Sequence, residues 1–195
     1  MLGLIKEKVS HGFNYIAIFF HKAGFTPLSL TFLSLLFAVF SALVFYFGES
    51  NFMVYFFAPL LLLISGFFDG LDGACARLYG KVTKIGAFMD SIADRFGEIF
   101  VYSSLILKNL CDLNWGLIAL SLSLMVSYVR ARAEVEDVGL QGIGLAERPE
   151  RILIISISSF LRKINLGIIL ISVLTLITVT QRIIYFYRKT YTDIQ

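Results

Sequence analysis

Charges are spaced along this chain in a way that leaves few options for its fold. Between Lys22 and Glu49 lie 26 residues without Asp, Glu, Lys or Arg, and the intervals Glu49 to Asp69, Asp112 to Arg130 and Lys163 to Arg182 hold 19, 17 and 18. At ~1.5 Å per residue, a helix over each run can cross a hydrocarbon core of about 30 Å, where an unpaired charge is expensive. Two more apolar stretches are interrupted. Residues 85–107 carry Asp90, Asp94, Arg95 and Glu98 near their start, and 152–161 is short, so its helix should begin near Arg148. These runs predict an all-α integral membrane protein with six transmembrane helices, near 27–48, 52–79, 84–110, 115–133, 148–161 and 166–187.

Composition excludes the main alternatives. Of the 195 residues, 57% are apolar and only 16% charged, against about 25% charged in an average soluble chain, so a water-facing surface would be hard to build. A soluble α/β enzyme and a disordered tail are both excluded. Cys75 and Cys111 are too few for a disulfide framework, and His11 and His21 lie far from either, which argues against zinc. No nucleic-acid partner is expected.

Residues 1–22 read as a separate N-terminal interfacial amphipathic helix preceding the transmembrane domain, 23–195. Lys6, Glu7 and Lys8 alternate with apolar residues, while Phe13, Ile16, Ala17 and Phe20 share a helical face. Pro27 suits the first position of the first spanning helix. With six spans, 14 basic residues fall on one side and only Lys108, Arg162 and Lys163 on the other. The positive-inside rule then makes this a multi-pass cell-membrane protein with both termini cytoplasmic.

Five of the 14 acidic residues, Asp69, Asp72, Asp90, Asp94 and Glu98, fall within 30 positions. Asp69 and Asp72 are three apart and Asp90 and Asp94 four apart, so each pair shares a helix face. A short turn near 80–83 makes the two helices antiparallel, and the pairs can meet at one depth near the cytoplasmic face. Four converging carboxylates repel unless neutralised, and a hard divalent cation such as magnesium, bound alongside substrate phosphates, is the natural remedy. The alternatives are ion pairs with Arg77, Lys81, Lys84 and Arg95, or a cation path in a transporter. A transporter would place its acids near the midplane and show repeated or broken segments, and neither is evident. Gly73 and Ala76 lie beside the acidic face, where a base or diphosphate can approach the backbone, and Arg77 can reach a phosphate oxygen.

Residues 69–94 read DGLDGACARLYGKVTKIGAFMDSIAD. This resembles the signature of the CDP-alcohol phosphotransferase family, and Asp69, Asp72, Gly73, Ala76, Arg77, Gly86, Asp90 and Asp94 occupy its fixed positions. The resemblance implies an enzyme that transfers a lipid phosphate from a CDP-linked lipid, CDP-diacylglycerol or CDP-archaeol, to an alcohol and releases CMP. It further implies two Mg2+ ions, with Mn2+ as a substitute, held by Asp69, Asp72, Asp90 and Asp94. Asp94 would be the general base. The CDP-lipid would contact Leu28, Ser29, Leu30, Thr31, Gly73, Ala76, Arg77, Thr83 and Gly86, and the active site would be cytoplasmic. A homodimer is also implied.

A second basic set surrounds the next cytoplasmic loop, in SYVRARAE (127–134) and GLAERPER (144–151), with Arg182 in the last helix. Arg130, Arg151 and Arg182 belong to three helices at similar depth, and arginines converging on one pocket suit a phosphate. Arg132 and Arg148 serve equally well as lipid-facing anchors. These stretches resemble the inositol-phosphate branch of the family, where the three matching positions bind the acceptor's phosphate. The implied acceptor is 1L-myo-inositol 1-phosphate, with glycerol 3-phosphate as the alternative. Glu98 is expected to pair with Arg95 in a structural role, and Trp115, Tyr185 and Tyr187 to sit in an interfacial aromatic belt.

Overall fold

The computed structural model describes residues 13, 15–140 and 142–192, so most of the expected interfacial helix lies outside the described residues. Residues 15–22 are helical, and Ala17 is buried in a cluster with Leu30, Leu71, Ala74 and Cys75, flanked by Phe13 and Phe20. The His21 ring sits 3.6 Å from that of Tyr79. This segment therefore packs on the helices that follow it.

Six helices follow: α1 (Pro27–Phe47), α2 (Ala58–Leu78), α3 (Lys84–Leu107), α4 (Leu113–Val135), α5 (Arg148–Phe160) and α6 (Ile164–Thr192). No strand occurs among the described residues. Thr26 and Ser29 form a reciprocal capping box that starts α1, with Pro27 just inside it. A π-helical turn, Met53–Phe57, leads into α2. Pro59 cannot donate an N–H and crowds the carbonyl one turn earlier, and the wider turn relieves both conflicts. Gly80 ends α2 at φ +60°, where the Lys81 N–H reaches back to Ala76 O at 2.9 Å. Thr83 then caps α3 by accepting from the Gly86 N–H at 3.0 Å. This tight reversal lays the end of α2 beside the start of α3.

The helix limits follow the charge-free runs closely. The chief differences are that α3 ends at Leu107 and α6 continues to Thr192. Asn109, at φ 56°, breaks the chain just after α3. Polar Arg188 and Lys189 extend α6 because a helix need not stop where the hydrocarbon does.

Helix α1 packs on α2 and α3, α4 on α3 and α6, and α5 on α2 and α6. Large apolar side chains such as Phe32, Phe40, Phe47, Phe96 and Leu170 are exposed on the outside, while the interior combines an apolar core around Phe45, Leu105 and Ile171 with buried serines and threonines. Those hydroxyls are satisfied internally. Ser41 donates to Ala58 O at 2.8 Å, and Tyr102 Oη and Ser123 Oγ lie 3.1 Å apart. Among the described residues, four helical stretches are long and apolar enough to cross a bilayer: Pro27–Phe47, Met53–Leu78, Leu113–Val135 and Ile164–Tyr191. The other two differ, since α3 carries the charged cluster and α5, at 13 residues, is only about 20 Å long.

The loop between α4 and α5 is tied to α6. Thr178 Oγ1 accepts from the N–H groups of Leu145 (3.0 Å) and Ala146 (3.1 Å). Gly144, at φ +125°, lies so close to Thr178 that a Cβ there would overlap its methyl group. Thr178→Val keeps the shape but strands two N–H groups, so it should cost about 1–3 kcal/mol of stability. A melting curve of the detergent-solubilised protein reads this as a lower Tm, and an unchanged Tm would mean that the loop is held by other contacts.

Candidate active site

The reversal at Gly80 brings the acidic faces of α2 and α3 together. Carboxylate oxygens of Asp69, Asp72 and Asp90 all lie within 4.8 Å of one another, close enough for one ion to reach all three. Asp72 is buried, and its Oδ2 accepts from Thr31 Oγ1 at 2.6 Å. Thr31 thereby ties α1 to the cluster. Asp90 Oδ1 is buried without a hydrogen-bond partner. An orphaned buried carboxylate oxygen beside two other carboxylates fits a hard divalent cation, which takes oxygen ligands.

Asp94 stands apart from that trio. Its Oδ1 lies 2.6 Å from Arg148 Nη1 and its Oδ2 3.3 Å from Arg95 Nη2. The same Arg148 nitrogen is 2.6 Å from Asp69 Oδ1. Arg148, buried at the start of α5, is thus a component of the acidic site that sequence reasoning treated only as a possible lipid anchor. A signal was present: Arg148 and Arg151 are one helical turn apart and share a face. The main cationic partner of Asp69 and Asp94 is therefore absent from the expected set of Arg77, Lys81, Lys84 and Arg95, of which only Arg95 takes part.

Two cavities flank the cluster, and Asp90 borders both. The larger, about 640 Å³, is lined by Leu28, Thr31, Gly73, Ala76, Arg77, Thr83 and Gly86, seven of the nine residues expected to meet the CDP-lipid. Ser29 and Leu30 do not line it. Ser29 is engaged in the α1 capping box, and Leu30 is wholly buried in the apolar cluster around Leu71. On a helix, residue 30 points almost opposite to residue 28, so a run of four consecutive positions cannot share one face. Gly73 and Gly86 leave the backbone open to a ligand.

The second cavity, about 380 Å³, is bordered by Asp69, Asp90, Asp94, Arg130, Arg151 and Arg182, together with Arg148, Glu134 and Glu147. The three arginines expected at an acceptor phosphate thus share one chamber, each with a glutamate partner. Arg130 Nε donates to Glu134 Oε1 at 3.0 Å on the exposed rim. Arg182, deeply buried, donates to Ile143 O (2.8 Å), Val126 O (2.7 Å) and Glu147 Oε1 (2.8 Å). Arg151 donates to Glu98 Oε1 through Nε (3.1 Å) and Nη2, and to Ala146 O through Nη1 (2.6 Å). Glu98, expected to pair with Arg95, is only 3.9 Å from it and takes Arg151 as its principal partner. A guanidinium carries five N–H donors, so Arg151 and Arg182 each keep two after these bonds, on a side chain already held rigid. Arg132 pairs with Glu136 at 2.6 Å and lies outside this chamber.

The arrangement offers a chamber with small residues and one arginine, a chamber rich in arginine, and carboxylates between them. Such a partition can hold two phosphorylated molecules against one charged centre. The family model for CDP-alcohol phosphatidyltransferases matches residues 25–188. An archaetidylinositol phosphate synthase of Pyrococcus horikoshii is 37% identical over 185 residues, covering 94% of this chain and 95% of that protein. Among solved structures, the Mycobacterium tuberculosis phosphatidylinositol phosphate synthase with CDP-DAG bound superposes with a TM-score of 0.73 at 30% identity, covering 90% of this chain and 93% of that one. The same enzyme in complex with manganese and citrate gives 0.74 at 29% identity, covering 90% and 88%.

Proposed function

Because the chain belongs to the CDP-alcohol phosphatidyltransferase family, we propose that it transfers a lipid phosphate from CDP-diacylglycerol or CDP-archaeol to 1L-myo-inositol 1-phosphate. The observation that carries this is the pair of chambers meeting at Asp90, one of them lined by Arg130, Arg151 and Arg182. A donor in the larger chamber lays its diphosphate near Arg77, over Gly73 and Gly86, with its lipid chains toward the membrane. The acceptor's phosphate lies among the three arginines, which are also suited to glycerol 3-phosphate, and its hydroxyl faces the carboxylates. Asp94 takes the hydroxyl proton as the new O–P bond forms to the lipid-side phosphorus and the P–O bond to CMP breaks. Asp69, Asp72, Asp90 and Asp94 would hold two Mg2+ ions, or Mn2+ in their place, which would supply charge neutralisation at the diphosphate and at CMP.

In the same reading, six helices span the membrane, with both termini and the site on the cytoplasmic side, where 14 of the 17 basic residues fall. The protein acts as a homodimer, as the family resemblance implies.

The test is CMP release by purified protein given a CDP-linked lipid and a panel of alcohols. Inositol 1-phosphate should support the fastest release, well ahead of free inositol, which lacks the phosphate. Faster release with glycerol 3-phosphate would overturn the acceptor assignment and leave the chemistry in place. EDTA should stop the reaction and added Mg2+ or Mn2+ should restore it, whereas turnover indifferent to chelation would contradict cation-assisted transfer.

A further inference from the structure

We propose that Arg148 is a displaceable counter-ion. In the cation-free protein it holds Asp69 and Asp94 together, and it withdraws toward Glu98 when a cation takes its place. This rests on the two-cation reading above. Arg148 Nη1 is 2.6 Å from a carboxylate oxygen of each aspartate, one on α2 and one on α3. It stands where a cation joining those two helices would stand. Asp72 and Asp90 make no ion pair among the described residues, so the trio with Asp69 is the more open position. A first ion can enter there, while a second, at Asp69 and Asp94, must expel the guanidinium.

The fold offers Arg148 somewhere to go. Glu98 Oε2 and Arg148 Nε are both buried without a hydrogen-bond partner, and Arg148 Nη1 meets its two aspartates as an ion pair with no aligned hydrogen bond to anchor it. Glu98 and Arg148 also line one void of about 20 Å³, room for roughly one water molecule. Gly97, adjacent to Glu98, leaves the α3 backbone bare there, and a Cβ would come 3.6 Å from Arg148 Nη2. A short shift of the side chain over Gly97 would satisfy both orphaned atoms and relieve repulsion between the guanidinium and the incoming cation. Arg148 is in this sense a positioning residue, since it keeps Asp94 aligned until the cation does. A permanent structural ion pair would instead stay in place and make no difference to cation affinity.

The two cases separate in a Mn2+ titration of the purified protein, read by electron paramagnetic resonance of the free ion, with melting curves alongside. The wild type should bind two ions with unequal affinity. In Arg148→Gln the weaker affinity should tighten by about tenfold or more, because the competing charge is gone, and the tighter one should change less. The cation-free variant should melt lower than wild type, and Mn2+ should raise its Tm by a larger interval. Should Arg148→Gln fail to fold, Arg148→Lys decides: a single ammonium neutralises two carboxylates less well than a guanidinium, so the weaker site should again tighten. An unchanged or weakened second affinity in these variants overturns the proposal alone. A wild-type protein that binds no Mn2+ overturns the cation reading itself and the proposal with it.

Discussion

Asp90→Asn should reduce CMP release by about a thousandfold or more while the protein folds and melts at least as well as the wild type. Among the described residues Asp90 is the one carboxylate that borders both chambers, and its Oδ1 lies buried without a hydrogen-bond partner. A buried, unsatisfied, charged oxygen next to Asp69 and Asp72 is a liability for the cation-free fold, so neutralising it removes repulsion and desolvation together. The proposed cation-assisted transfer requires the opposite, because an amide is a poor ligand for a hard divalent cation. Loss of turnover with retained or raised Tm is the signature of a site that trades stability for activity. Retained turnover would remove Asp90 from the reaction centre, and a lower Tm would give it a structural role instead.

Arg151→Ala should have two effects that a second substitution pulls apart. Arg151 is 2% exposed and Glu98 7%, and the pair joins α5 to α3. Removing one partner leaves a buried charge uncompensated, which costs about 3–5 kcal/mol. The acceptor's KM should also rise, with the donor's little changed, because Arg151 borders the arginine-rich chamber and not the other. In the double variant Arg151→Met with Glu98→Gln the orphaned charge is gone, so much of the lost stability should return. The acceptor's KM should stay high. If the double variant regained the acceptor's KM along with its Tm, Arg151 would be scaffolding and the acceptor's phosphate would depend on Arg130 and Arg182 alone.

Much of this architecture is legible in the chain because a bilayer punishes charge. Helix α1 was expected over 27–48 and is found at Pro27–Phe47, set at one end by Pro27 and the Thr26 cap and at the other by the last apolar residues before Glu49. Four carboxylates were expected to converge, and three of them, Asp69, Asp72 and Asp90, do so within 4.8 Å, since three- and four-residue spacings on two helices joined by a tight turn leave few ways for the side chains to point. Contacts between helices remote in sequence were harder to see. Arg148 meets Asp69 across 79 positions and Asp94 across 54, and no periodicity within α5 says which neighbour its face will meet. Glu98 illustrates the same limit. Local spacing favoured Arg95, three residues away, whereas burial selected Arg151 on another helix, whose guanidinium can donate to one carboxylate through both Nε and Nη2. Leu30 shows a different limit: in a contact segment taken as a block, alternate helix faces leave Leu28 and Thr31 at the larger chamber and Leu30 in the apolar cluster.

In the proposed reading, carboxylates from α2 and α3 hold divalent cations between the two chambers. Its most direct test is an anomalous difference map from crystals of this protein soaked in Mn2+. A peak among Asp69, Asp72 and Asp90, strengthened by a second beside Asp94 at higher Mn2+, is the result expected. A map with no peak at these carboxylates, from crystals whose enzyme releases CMP in the same buffer, would contradict it.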